Sequence, residues 1–259
     1  MKKFLLGTNW KMNKTLSEAI DYTNQLMSII KKYEGFDFFI IPPYTHLWKI
    51  KEIIKSANSP LQLGAQNMHE EDFGQYTGEI SPVMLKEIGL EIVELGHSER
   101  RQYFNESDEA VNRKARAALK HGFNPLICIG EKIEDKNYGV SKEMLAKQLK
   151  IALTDISAAA IGHFWIAYEP VWAIGVSGTP AEASYVKEIH DFLRSVLIAR
   201  FGEKGQQIPL LFGGSVNINN ASSYAGLDNV DGLFIGRSAW EPDLFEEIIK
   251  SVKSEINYH

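Results

Sequence analysis

Glu169 closes an apolar run, Phe164-Trp165-Ile166-Ala167-Tyr168, and Pro170 follows it at once. A residue before proline is pushed out of the α region, so this strand cannot run straight into a helix. Gly175 and Gly178 come next. Thr179-Pro180-Ala181-Glu182 then carries helix-start signals: a capping hydroxyl, a first-turn proline and a capping-box carboxylate. A carboxylate at a strand end, beneath a loop hinged at both ends, is the arrangement of a general base under a lid. Ala173 and Ile174 are expected to be exposed to the space above it.

Other residues can serve such a base. Asn9 and Lys11 stand two apart at the end of an earlier apolar run, so alternation places both on one side and Trp10 on the other. An amide and an ammonium there can orient a carbonyl and a phosphate. His97 follows Gly96 and precedes a polar, helix-start-like segment, Ser98-Glu99-Arg100-Arg101. A helix amino terminus would keep the ring neutral, able to donate to a developing enolate. Glu99 reads as the residue that orders Lys11 or Arg100. Gly213-Gly214-Ser215 and Gly236-Arg237-Ser238 hold glycines that let backbone amides approach a phosphate. Singly, each has a plainer reading: a surface glutamate, a solvated lysine, a structural histidine, tight turns.

The elements that must position these residues alternate along the chain. Strand candidates are Lys3–Asn9, Phe36–Ile41, Leu61–Gln66, Glu91–Gly96, Pro125–Gly130, Phe164–Glu169, Pro209–Gly213 and Gly232–Gly236. A helical pattern follows each; the first spans Ser17 to Lys31 with Leu16, Ala19, Ile20, Thr23, Leu26, Met27 and Ile30 on one face. Others begin near Thr45, Ser81-Pro82, Asp108, Lys142, Thr179-Pro180, Asn219 and Asp243. Strict β–α alternation implies a parallel sheet. About eight such units without a linker predict an α/β fold, a single-domain (β/α)8 TIM barrel over residues 1–259. Barrel chemistry sits at the carboxyl ends of strands, where all of these residues fall. Counting outward from His97, alternation would turn Val93 and Leu95 inward and put Glu94 under the helix layer.

Composition narrows the function. The 259 residues are 44% hydrophobic and 24% charged, ordinary for a globular protein. A net charge of −5 argues against nucleic acid or an anionic membrane as a partner. Cys128 is the single cysteine, so no intramolecular disulfide forms, and a reducing compartment, the cytoplasm, is expected. The apolar stretch near Met1 is too short for a secretion signal, and no stretch is long enough to span a membrane.

NWKMN (Asn9–Asn13), GAQN (Gly64–Asn67), YTGE (Tyr76–Glu79), LGHSERR (Leu95–Arg101), CIGE (Cys128–Glu131), AYEPVWAIG (Ala167–Gly175) and GGSVN (Gly213–Asn217) closely resemble the triosephosphate isomerase family. The likeness runs in order along nearly the whole chain. It implies that Glu169 shuttles a proton between adjacent carbons and that His97 is the neutral electrophile. It implies Asn9 and Lys11 as oxyanion and phosphate contacts, and Gly175, Ser215 and Gly236 as backbone phosphate donors. It further implies a homodimer in which Thr77 reaches the partner's site, and no metal or organic cofactor.

The sequence departs from the family at the lid. Phe212 stands where the family has a tyrosine, and Pro180 where that hydroxyl would meet an amide. Phenylalanine has no O–H and proline no N–H, so this closing latch, worth on the order of 0.5–1.5 kcal/mol, cannot form. Losing both partners together leaves no orphan group. Ser215 can still hold the lid through the amide of Ser177. Arg237 follows Gly236 where a second glycine is usual, and its guanidinium can contact a phosphate or a longer substrate, or point to solvent. These departures resemble a branch that isomerises L-erythrulose 1-phosphate. Interconversion of D-glyceraldehyde 3-phosphate and dihydroxyacetone phosphate ranks first, because every chemical residue for it is present; the four-carbon reaction is the alternative. The rivals are a barrel aldolase with Lys11 as Schiff base and a non-catalytic phosphate-binding barrel.

Overall fold

A computed structural model describes residues 3–175 and 178–256. The eight strands are β1 (Phe4–Asn9), β2 (Phe36–Ile41), β3 (Gln62–Ala65), β4 (Ile92–Leu95), β5 (Asn124–Ile129), β6 (Trp165–Tyr168), β7 (Leu210–Gly214) and β8 (Gly232–Ile235). Each pairs in parallel with its neighbours in sequence, and β8 closes on β1 through Leu5↔Gly232 and Thr8↔Ile235. The result is the expected (β/α)8 barrel. Its helices are α1 (Leu16–Ile30), α2 (Tyr44–Ser56), α3 (Pro82–Ile88), α4 (Ser98–Tyr103), α5 (Asp108–Lys120), α6 (Ile133–Asn137), α7 (Ser141–Ala152), α8 (Ala183–Phe201), α9 (Ala221–Ala225) and α10 (Pro242–Ile256).

Strand alternation divides the apolar residues into two cores. Leu5, Phe39, Ile41, Ile92, Leu126, Trp165, Leu211 and Phe234 fill the barrel. Phe39 lies 5.6 Å from Phe234 and 5.5 Å from Trp165, ring centre to ring centre. Phe4, Leu6, Trp10, Phe38 and Ile40 point the other way and pack under the helices. Trp10 meets Tyr22 of α1 edge-on at 4.9 Å, so it does turn outward from Asn9. Each fully buried large side chain contributes about 1.5–3 kcal/mol, which makes both cores sizeable.

Local signals set most helix starts. Thr15 and Glu18 form a capping box on α1, and Ser81 caps α3 ahead of Pro82. The helix expected at Thr179 is different. It begins at Ala183, after Glu182, with no side-chain cap. The Thr179 amide instead bonds the Trp172 carbonyl at 3.3 Å, and the Ala181 carbonyl accepts from Tyr224 at 2.6 Å. Tertiary bonds across the lid's base hold residues 179–182 out of the helix.

Candidate active site

Asn9, Lys11, His97 and Glu169 converge on one cavity at the carboxyl ends of the strands, as expected. Glu169 follows β6, and its amide donates to the Ile129 carbonyl at 2.8 Å. Its carboxylate lies against β7, where a Cβ on Gly213 would stand 2.7 Å from Glu169 Oε1. Only glycine leaves the base its place. Among the described residues Glu169 Oε2 has no hydrogen-bond partner; it lies 3.8 Å from His97 Nε2, and both residues line the cavity.

His97 reaches that space because Gly96 takes φ +75°, a left-handed turn. That turn corrects the expected facing of β4. Glu94, not Leu95, points into the barrel, where it accepts from Asn9 Nδ2 at 2.8 Å. Val93 and Leu95 join the outer core. Plain alternation fails because the turn at Gly96 brings both Glu94 and His97 inside. Both sides of the Gly96 peptide are held: Arg101 Nε donates to its carbonyl at 2.7 Å, and its amide donates to buried Glu106 at 3.1 Å. Neither Arg101 nor Glu106 was singled out from the sequence, since their partner is backbone.

The electrostatics suit general base and neutral electrophile. Burial pushes the Glu169 carboxyl up to about 7, against the opposing pull of Lys11 and a hydrogen bond from Cys128. Burial, with Lys11 and Arg100 nearby, lowers His97 to about 3, so the ring is neutral. The Glu99 amide donates to His97 Nδ1 at 3.1 Å, which leaves the ring proton on Nε2, facing the cavity. Desolvation is the leading cause of neutrality, ahead of the short helix that follows.

Lys11 is held by Glu99 Oε1 at 2.7 Å, which makes Lys11 the partner of Glu99. Lys11 itself has φ 53°, an unusual value for a side-chain-bearing residue. Asn9 Oδ1 stabilises this turn by accepting the Lys11 amide at 2.6 Å. Gln66, at the end of β3, adds 3.2 Å and 2.8 Å bonds to Asn9 Oδ1 and the Lys11 carbonyl. It belongs to the GAQN motif, but its role needed the fold to be seen.

Gly175, Ser215, Gly236 and Arg237 line the opposite end of the cavity. Ala173 is fully buried rather than exposed, because the turn Val171–Ala173 folds it under the lid. Ser215 Oγ contacts the carbonyls of Ala173 at 2.7 Å and Gly178 at 3.2 Å. The bond expected from Ser177 lies outside the described residues. Arg237 is exposed, and its guanidinium donates to the Gly175 carbonyl of the lid at 3.2 Å. Phe212 is buried 4.6 Å from the Tyr224 ring, whose hydroxyl holds Ala181. Thr77 is exposed and lies outside this chain's own cavity lining.

A closed barrel with a buried carboxylate, a neutral imidazole and an ammonium at one mouth has the groups for general-base chemistry on a small polar substrate. A profile of the triosephosphate isomerase family matches residues 4–252, and the chain belongs to that family of sugar-phosphate isomerases. An L-erythrulose-1-phosphate isomerase of Rhizobium etli is 44% identical over 254 residues, 97% of this chain and 93% of the relative. One of Brucella abortus is 44% identical over 262 residues, 99% of each. A triosephosphate isomerase structure from Bartonella henselae superposes with a TM-score of 0.87 at 35% identity, covering 97% of this chain and 99% of that one.

Proposed function

We propose that the protein isomerises L-erythrulose 1-phosphate. The observation that carries this reading is 44% identity over nearly the full length to relatives of that name. It reverses the order in which the residues alone ranked the two substrates. The altered lid, with Phe212, Pro180 and the Arg237 contact, supports it.

Glu169 Oε2 takes the proton from the carbon beside the carbonyl. His97 Nε2–H donates to the carbonyl oxygen as negative charge develops there, and the Lys11 ammonium stabilises the same charge. Glu169 then returns its proton to the neighbouring carbon of the enediol, while the hydroxyl proton of the first carbon passes by way of His97 Nε2 to the former carbonyl oxygen, so the carbonyl moves one carbon along. The substrate phosphate sits among Gly175, Ser215, Gly236 and Arg237. In the four-carbon substrate the carbon that loses its proton carries a hydroxymethyl group where dihydroxyacetone phosphate has hydrogen. The cavity, about 810 Å³, has room for it.

Triose phosphate is the second reading, supported by the triosephosphate isomerase neighbour. A homodimer completes both readings, with Thr77 presented to the partner; Phe73 and Tyr76 on the same loop are exposed apolar surface that a second copy would cover. Among the described residues, no helix is long and apolar enough to cross a membrane.

The test is kcat/KM from one preparation for L-erythrulose 1-phosphate and D-glyceraldehyde 3-phosphate. A strong tetrulose value beside a weak triose value is expected. A triose value near the diffusional ceiling of about 10⁸ M⁻¹s⁻¹ would reverse the assignment. Activity on neither would favour a binding barrel.

A further inference from the structure

Glu94 is a fully buried carboxyl inside the barrel, and the reaction as described makes no use of it. It is not among the residues that line the cavity. Its Oε2 accepts from Asn9 Nδ2 at 2.8 Å. Its Oε1 lies 3.8 Å from Cys128 Sγ. Donor and acceptor atoms of Glu94, Cys128 and Glu169 all fall within 4.8 Å of one another. The base therefore has a second carboxyl behind it, with a thiol between.

The hydrogen bonds around Asn9 leave its amide one orientation. Asn9 Oδ1 must face the Lys11 amide and Gln66 Nε2, both donors. Nδ2 must then face Glu94, which uses one of its two N–H bonds and leaves the other for a substrate oxygen. Removing Glu94 would leave that amide group free on one side.

We propose that Glu94 is a positioning residue that works as a neutral carboxylic acid, orienting Asn9 toward the substrate while leaving Glu169 as the ionised member of the pair. This inference rests on the isomerase reading of the site.

Two like charges so close in a dry interior strongly disfavour double ionisation. Burial and the facing Glu169 push the Glu94 carboxyl well above the usual range, and Glu99 adds to this; Lys11 and the Asn9 bond pull the other way without cancelling it. Burial and the two carboxyls also keep Cys128 a thiol. A thiol has one proton to give. With Glu94 protonated, its O–H donates to the sulfur and the thiol proton turns to Glu169; were Glu94 a carboxylate, its Oε1 would instead accept that proton at 3.8 Å.

Two variants test this. Glu94→Gln copies the neutral acid: its carbonyl accepts from Asn9 and its NH2 replaces the O–H. It is expected to keep kcat within about three-fold, with the acid limb of the pH profile unmoved. Glu94→Leu keeps an apolar-compatible core but frees the amide; kcat should fall roughly 10- to 100-fold with a smaller change in KM. An infrared difference spectrum of the intact proteins near pH 9, where Glu169 is ionised, should show a protonated-carboxyl C=O band in the wild type that Glu94→Gln lacks. The proposal is overturned if Gln is as damaging as Leu, if Gln shifts the acid limb, if Leu leaves kcat unchanged, or if the two spectra share the band. The infrared result does not depend on substrate, and wild-type turnover separately tests the isomerase reading.

Discussion

At one end of the cavity, Asn9, His97 and Glu169 are nearly buried, stand at strand ends, and are held by bonds that cross between strands β1, β3, β4, β5 and β6. At the other end, Gly175, Ser215 and Arg237 sit on loops, where Ser215 meets the Ala173 and Gly178 carbonyls and Arg237 the Gly175 carbonyl. The first end holds the proposed base and electrophile, and the second holds Arg237 and the lid with Pro180. The difference teaches where each kind of change is tolerated. A strand end shares its register with both neighbours, so moving one group there displaces several. A loop contact can be exchanged for another at a cost of about 1 kcal/mol.

The largest effect should come from the strand-end side. Glu169→Gln is expected to lower kcat on the order of 10²- to 10⁴-fold in a steady-state assay, the usual scale of general-base loss. A loss below about ten-fold would sink the assignment of the base. Next in size is the pH dependence. The base must be ionised, and Glu169 is raised to about 7, so kcat/KM should rise with pH and level off above 7. His97, lowered to about 3, should add no inflection between pH 5 and 9. A second limb near neutral pH would show the ring to be titrating.

Loop-side changes should be smaller. Arg237→Ala removes one exposed contact to the lid and a cation beside the proposed phosphate; KM should rise up to about ten-fold with kcat little changed. A kcat effect as large as that of Glu169→Gln would erase the distinction between the two ends.

Most of the strand-end side was legible in the sequence because strands carry their own ruler. Period two placed Asn9 inward and Trp10 outward, and the end of an apolar run placed Glu169 at the mouth. It failed at Glu94, where Gly96 interrupts the period with a left-handed turn that is itself held by Arg101 and Glu106. The lid was less legible. Thr179 and Glu182 have the right spacing to cap a helix, yet Trp172 and Tyr224 claim the backbone around them.

The sequence by itself determined the barrel, the order of its units and which residues reach its mouth, because hydrophobic period and cap chemistry are local properties. Only the tertiary structure decided that Glu94 lies behind the base, that Gln66 and Asn9 brace the left-handed Lys11, and that Arg237 meets the lid. Those pairings join residues far apart in the chain, and their strength comes from a buried interior that exists only once the barrel has closed.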